Sequence, residues 1–396
     1  MAAHESIVLV SAARTPIGAF QGELKDLTAP ELGATAIRAS AERAGIPFDL
    51  VDEVLMGCVL PAGLGQAPAR QAAIGAGLPH STGATTINKM CGSGMKAVML
   101  AHDLIVAGSA GIVVAGGMES MSNAPYLLDR ARSGYRMGHQ RAIDHMFLDG
   151  LEDAYDRGRL MGTYAEDCAQ SYCFTREAQD EYSVASLTRA RKAMADGSFA
   201  SEIVPITLKS GKTECEMSRD ELPLKAKLDR ISTLKPAFRE GGSITAANSS
   251  SISDGAAALV LMRRSEAGRR NMKPLALIVG HATYAQKPAL FPTAPIGAIR
   301  LLIERIGWTL GEVDLFEINE AFAVVVMAAM RDLGLPRDTV NIHGGACALG
   351  HPIGASGARI LVTLLAALHK YGLRRGIASL CIGGGEATAV AVERVQ

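Results

Sequence analysis

The chain carries no net charge: 40 Lys and Arg stand against 40 Asp and Glu in 396 residues. It has no basic stripe or tail, so nucleic acid is not an expected partner. No uninterrupted apolar run reaches the roughly 18 residues of a membrane span. Nothing ahead of the first strand-like stretch, Ser6 to Ala12, has the charged start, apolar run and cleavage site of a secretory leader. A disulfide frame is also missing. The seven cysteines, Cys58, Cys91, Cys168, Cys173, Cys215, Cys347 and Cys381, are odd in number and irregularly spread, which suits a reducing compartment. The expectation is a cytoplasmic protein with neither membrane nor nucleic-acid partner.

What is present is an ordinary globular mixture, 48% apolar and 20% charged, long enough for two or three domain-sized units. Strand-like segments (Ile7–Ser11, Glu53–Val59, Ile112–Ala115) alternate with apolar helical ones (Glu31–Arg43, Gly94–Ala107), the grammar of strands with crossover helices. The order returns. Ala36-Ile37-Arg38, Glu42-Arg43, Gly45 and Val51-Asp52 match Ala298-Ile299-Arg300, Glu304-Arg305, Gly307 and Val313-Asp314 at a constant offset of 262. Gly111-Ile112 matches Gly376-Ile377 at an offset of 265. Two pseudo-repeated α/β halves follow. Residues 1–121 form the first half, completed by 249–273 with a buried strand over Asp254–Met262. Residues 122–248 form a more highly charged inserted unit, and 274–396 the second half.

Three side chains stand out. Cys91 lies in Asn88-Lys89-Met90-Cys91-Gly92-Ser93-Gly94, between a strand-like Ala84–Ile87 and an apolar helix. The unsatisfied N–H groups and positive dipole end of a helix start favour a thiolate. His351 lies in Gly350-His351-Pro352-Ile353-Gly354-Ala355-Ser356-Gly357, the repeat counterpart of the Cys91 segment. A pseudo-twofold axis would bring the two helix starts together and set a base beside the nucleophile. Cys381 ends a buried strand before Gly383-Gly384-Gly385, whose N–H groups could line an oxyanion site. Taken alone it is a strand-end cysteine before a hairpin. Asn319 follows the strand Val313–Ile318; it reads either as a helix cap or as an amide that positions water or a carbonyl oxygen.

Two decoys compete. Gly92-Ser93-Gly94-Met95-Lys96-Ala97 fits the loose dinucleotide pattern, but Ala115-Gly116-Gly117 stands where an acidic residue should end the next strand. His343, Cys347 and His351 are spaced like metal ligands on a helix, yet Gly344, Gly345, Gly350 and Pro352 oppose a helix there, so no metal site is expected.

Asn88–Ala97, Asn319–Ala323, Gly344–Arg359 and Cys381–Gly385, in that order, resemble the four active-site blocks of the thiolase family. The likeness runs from Ser11–Pro16 through Gly111–Glu119 to the end. It implies an α/β protein with a five-layered α/β/α/β/α fold and an inserted loop domain, assembled as a homotetramer. It implies ping-pong chemistry in which acyl-CoA and CoA are substrates and partners, with no separate cofactor. Cys91 would take the acyl group. His351 would activate it and, with a water held by Asn319, bind the thioester oxygen. Cys381 would move the α-proton, and the N–H groups of Cys91 and Gly383 would hold the oxyanion. Ser250 would touch pantetheine; Met161, Phe238, Phe291 and Phe322 would border the acyl pocket.

Three departures bear on substrate. Leu160 replaces the His usual in short-chain biosynthetic members, Phe291 stands where Met is frequent, and Glu386-Ala387 replaces Met-Gly. The expected reaction is the reversible joining of two acetyl-CoA to acetoacetyl-CoA. The alternative is a 3-ketoacyl-CoA thiolase for longer or 2-methyl-branched chains. A decarboxylating ketosynthase is disfavoured because Cys381 stands where those enzymes commonly carry His. An inert acyl-CoA carrier is disfavoured by the intact Cys91, Asn319, His351 and Cys381 set.

Overall fold

The computed structural model describes residues 5–210 and 213–395. The principal strands are β1 (Ile7–Arg14), β2 (Glu53–Gly57), β3 (Gly83–Ile87), β4 (Ile112–Ser120), β5 (Ser253–Arg263), β6 (Ala276–Ala285), β7 (Leu315–Ile318), β8 (Arg375–Ile382) and β9 (Glu386–Arg394). The principal helices are α1 (Ala29–Ala44), α2 (Pro68–Gly75), α3 (Ser93–Ala107), α4 (Met161–Ser171), α5 (Arg176–Ala195), α6 (Ala294–Ile306), α7 (Ala323–Leu333) and α8 (Ile353–Lys370).

The strands follow the order β7-β8-β9-β6-β1-β5-β4-β2-β3. Outward from the β1/β6 joint, β1-β5-β4-β2 on one side corresponds to β6-β9-β8-β7 on the other, with β3 added at the edge of the first half; the joint itself is short, pairing Val8 with Leu277 and Leu9 with Ala276. β5, distant in sequence, lies between β1 and β4 in the first half. Helices α1 and α2 pack outside the first half, and α6 and α7 outside the second. Between the halves lie α3 and α8, packed on each other and on strands of both. Five layers result, as expected.

Local chemistry explains these boundaries. In α1, Thr28 and Glu31 form a reciprocal capping box, Pro30 sits in the first turn, and Gly45 closes the helix at φ 66°. Its counterpart α6 closes on Gly307 at φ 70°. Asp52 accepts from the N–H groups of Gly111 and Ile112, and Asp314 from those of Arg374 and Arg375, tying the two matching strands alike. That correspondence corrects the match of Gly111-Ile112 with Gly376-Ile377. Glu53 pairs with Val113 and Leu315 with Gly376, so β4 and β8 are related by an offset of 263, not 265. A slip of two residues keeps the same faces of a strand, which is why a chance Gly-Ile identity looked in register.

Helix α8 is apolar on nearly all sides because it is covered from both. By length and composition, Met90–Ala107 and Ile353–Lys370 could each cross a membrane, which counting uninterrupted apolar runs missed. Here 83% of the second window and 50% of the first are buried within the fold. The segment between the halves folds over them. Buried Arg14 of β1 holds Glu202 and Asp220, while Tyr182 and Ser186 of α5 donate to Glu320 of the second half.

Candidate active site

The chain leaves β3 at Ile87 and turns sharply before α3. Met90 takes φ 48°, uncommon for a residue with a side chain, directly ahead of Cys91. The turn is braced by its own polar groups. Asn88 Oδ1 accepts from Met90 N–H at 3.0 Å; Ser93 Oγ accepts from Lys89 N–H at 2.8 Å and donates to Met90 O at 2.6 Å. Cys91 is thus held one residue before the cap of α3, as its sequence position suggested.

His351 reaches the same place from the other half. Its N–H donates to Ser251 O at 3.0 Å. The starts of α3 and α8 meet through glycines: a Cβ on Gly94 would come within 2.9 Å of Gly354 O, and one on Gly117 within 2.0 Å. Of the glycines in the dinucleotide-like pattern, Gly94 therefore serves helix-to-helix approach, while a Cβ on Gly92 would meet Ile382 of β8 at 2.4 Å. His351 Nδ1 lies 2.5 Å from Ser356 Oγ, whose hydroxyl donates to Pro352 O at 3.0 Å. With that proton committed, Ser356 accepts from Nδ1–H, which leaves the Nε2 lone pair free. Among the described residues Nε2 is buried without a hydrogen-bond partner, and so are both polar atoms of the Asn319 side chain. Asn319 is no helix cap, because α7 begins four residues later behind Phe322.

Cys381 is the penultimate residue of β8, and the next three glycines turn the chain into β9. Cys381 is thus a strand-end cysteine before a hairpin, and it also lines the cavity that Cys91 and His351 share. Gly383 N–H donates toward the Cys91 sulfur, and Glu386 ion-pairs with Lys89, fastening the hairpin to the Cys91 turn.

These elements enclose a cavity of about 310 Å³. Cys91, His351, Cys381, Gly383, Ser250, Met161, Phe291 and Phe322 line it. Phe238 stands one layer behind, edge-on to Phe322 with ring centroids 6.0 Å apart. Leu160 is the N-cap of α4 and Asn319 is buried; neither lines the cavity. Sequence reading missed the wall formed by 148–155, which carries no distinctive motif, and Ser356, whose spacing across a loop-to-helix junction fits no standard pattern.

Electrostatics reverse one expectation. Burial pushes the Cys91 thiol up to about 11; the Gly383 and Cys91 N–H groups oppose this, and Glu119 adds to it. Desolvation outweighs the helix start. Burial, aided by Arg359, lowers His351 to about 3, while burial and the neighbouring Cys91 raise Cys381. The shifts favour a neutral resting site, with the thiol and the imidazole lining one cavity. Glu119 is raised by burial to about 7 despite accepting from Val59, Leu60 and Gly354 N–H. It ties the His351 segment to the first half.

The metal-like triplet disperses. His343 meets Tyr371, Cys347 meets Glu320 and His351 meets Ser356.

Comparison with known proteins places both parts of the chain in one family. Residues 7–265 match the thiolase N-terminal domain, and 272–394 the thiolase C-terminal domain. An acetyl-CoA acetyltransferase of Cupriavidus necator is 50% identical over 98% of this chain and 99% of its own. One of Rhizobium meliloti is 49% identical over 99% and 100%. The crystal structure of the Bacillus anthracis acetyl-CoA acetyltransferase superposes with a TM-score of 0.97 at 41% identity, covering all of both chains. Two thiols and an imidazole on one cavity, both domain models in order and relatives aligned end to end lead to one conclusion: this chain belongs to the thiolase family.

Proposed function

We propose that the protein is an acyltransferase that joins two acetyl-CoA molecules into acetoacetyl-CoA and CoA, and cleaves acetoacetyl-CoA in reverse. The observation that carries this reading is the shared cavity of Cys91, His351, Cys381 and Gly383. The names and end-to-end identity of the relatives support acetyl-CoA as the substrate.

In the first half-reaction the Cys91 proton passes to His351 Nε2. The sulfur attacks the acetyl-CoA carbonyl, and CoA leaves with the proton. The Nδ1–Ser356 bond keeps Nε2 the accepting atom throughout. In the second, Cys381 passes its own proton to the free His351 Nε2 and, as a thiolate, removes a proton from the methyl carbon of another acetyl-CoA; the proton on His351 returns to the Cys91 thiolate once that leaves. The carbanion attacks the acetyl group on Cys91, the C–C bond forms and the Cys91 thiolate departs. Oxyanions are held by the N–H groups of Cys91 and Gly383, and by His351 with a water on Asn319. Losing one such donor typically costs about 100–1,000-fold in rate.

CoA thioesters are the substrates, and these steps need no separate cofactor. Ser250 faces pantetheine; Met161, Phe291 and Phe322 border the acyl group, with Phe238 and Leu160 buttressing them. We propose the domain division 1–121 with 249–273, 122–248 and 274–396, supported by the place of β5 in the first half. A cytoplasmic homotetramer is likewise proposed. Seven free cysteines support a reducing compartment. Steady-state cleavage of 3-ketoacyl-CoAs of increasing length, with the 2-methyl C4 compound included, tests the substrate. The four-carbon ketoacyl-CoA is expected to have the highest kcat/KM; a preference for long chains overturns the acetyl-CoA assignment.

A further inference from the structure

Away from the cavity, α3 carries His102 and Asp103 one turn from its end, opposite His281 of β6. Asp103 Oδ1 lies 3.1 Å from His102 Nδ1 and 2.9 Å from His281 Nε2. The two imidazoles stand edge to face, 5.1 Å apart at 86°. One donor atom from each residue falls within 4.8 Å of the others. Among the described residues no other group of three or more His, Cys, Asp and Glu side chains converges this closely.

We propose that His102, Asp103 and His281 form a divalent-cation site, suited to zinc, that fastens the central helix α3 of the first half to β6 of the second. Zinc with bonds of about 2.0–2.1 Å sets adjacent donors about 3.3 Å apart at the corners of a tetrahedron. The two separations from Asp103 lie a few tenths of an ångström inside that, and the two ring nitrogens fall within 4.8 Å of each other, so side-chain adjustment alone admits an ion. Two imidazoles and one carboxylate are borderline ligands that suit zinc or cobalt rather than magnesium or calcium. The imidazoles are mostly buried and therefore held in place, their side chains 19% and 18% exposed. The carboxylate is 51% exposed and leaves a path for the ion and a water as fourth ligand. The site begins nine residues beyond Ser93, about 14 Å along the helix axis, so its role is to brace the helix that presents Cys91, not to act in acyl transfer. Asp103 bridging two imidazoles by hydrogen bonds alone is the competing account, and it gives no metal binding.

Cobalt(II) is the probe, added to the unmodified full chain and followed by visible absorption. The expected result is ligand-field bands saturating at one cobalt per chain, without sulfur-to-metal charge transfer, and displaced by zinc. Asp103→Asn keeps the hydrogen-bonding shape but removes the anionic ligand, and His281→Gln removes a nitrogen ligand. Each should weaken binding by at least about 10–100-fold, the loss already usual for an outer-shell partner. Circular dichroism shows whether each variant is folded. Zinc should also raise the Tm of the wild type and leave that of Asp103→Asn unchanged. Absence of bands, bands with sulfur charge transfer alone, or bands of equal affinity in folded Asp103→Asn would each overturn the site.

Discussion

Removing the Ser356 hydroxyl tests how the base is held. Ser356 and His351 are both buried, and among the described residues the 2.5 Å contact is the only hydrogen bond that the imidazole makes. When His351 takes the Cys91 proton, Nδ1–H becomes part of an imidazolium and the bond becomes charge-assisted. Such bonds contribute about 1.5–3 kcal/mol, which converts to roughly 10–150-fold in rate. Ser356→Ala deletes only Oγ and leaves the helix start intact. In acetoacetyl-CoA thiolysis kcat should fall by that range with KM nearly unchanged, because the group acts on the transition state and not on CoA. The single-turnover rate of Cys91 acetylation should fall in parallel. A folded Ser356→Ala enzyme with the wild-type kcat and acetylation rate would refute the tautomer argument.

Three further outcomes follow from the same geometry. Cys381→Ser should still accept an acetyl group on Cys91 yet lose condensation, measured by trapping the acyl-enzyme beside a coupled assay; loss of both would merge the two proposed roles. Gly117→Ala should lower unfolding free energy by about 1–3 kcal/mol and reduce kcat, since its Cβ meets the Gly354 backbone behind His351. Burial lowers His343 to about 4 from an ordinary 6.5. The folded chain therefore keeps it neutral where the unfolded chain protonates it, and its stabilising share is lost as pH falls from about 6.5 to about 4. The slope is about 1.4 kcal/mol per pH unit. Urea unfolding of wild type and His343→Gln at pH 7, 6 and 5 should reveal that difference; parallel pH curves would contradict it.

Much of this was legible in the sequence, because local chemistry and periodicity write it there. The segment expected as a helix over Gly94–Ala107 is Ser93–Ala107, and the Glu31–Arg43 helix extends to its capping box at Thr28. Gly45 and Gly307 announced matching helix ends. Convergence of Cys91, His351 and Cys381 followed from the repeat. What escaped depends on distance in space. The thiol shift reflects burial by both halves, which no helix-start argument weighs. The carboxylate of Glu119 and the wall at 148–155 acquire meaning only when β2, β4 and the His351 segment are brought together. The pairing of His281 with Asp103 spans 178 positions and has no repeat counterpart to signal it.

The central claim is that Cys91 carries the acyl group, and peptide mass spectrometry of acid-quenched protein tests it most directly. After a brief exposure to acetyl-CoA, one acetyl group is expected on the peptide containing Cys91, absent in Cys91→Ser and discharged by added CoA. An unmodified Cys91, or an equally rapid acetyl transfer to another residue in Cys91→Ser, would contradict the account.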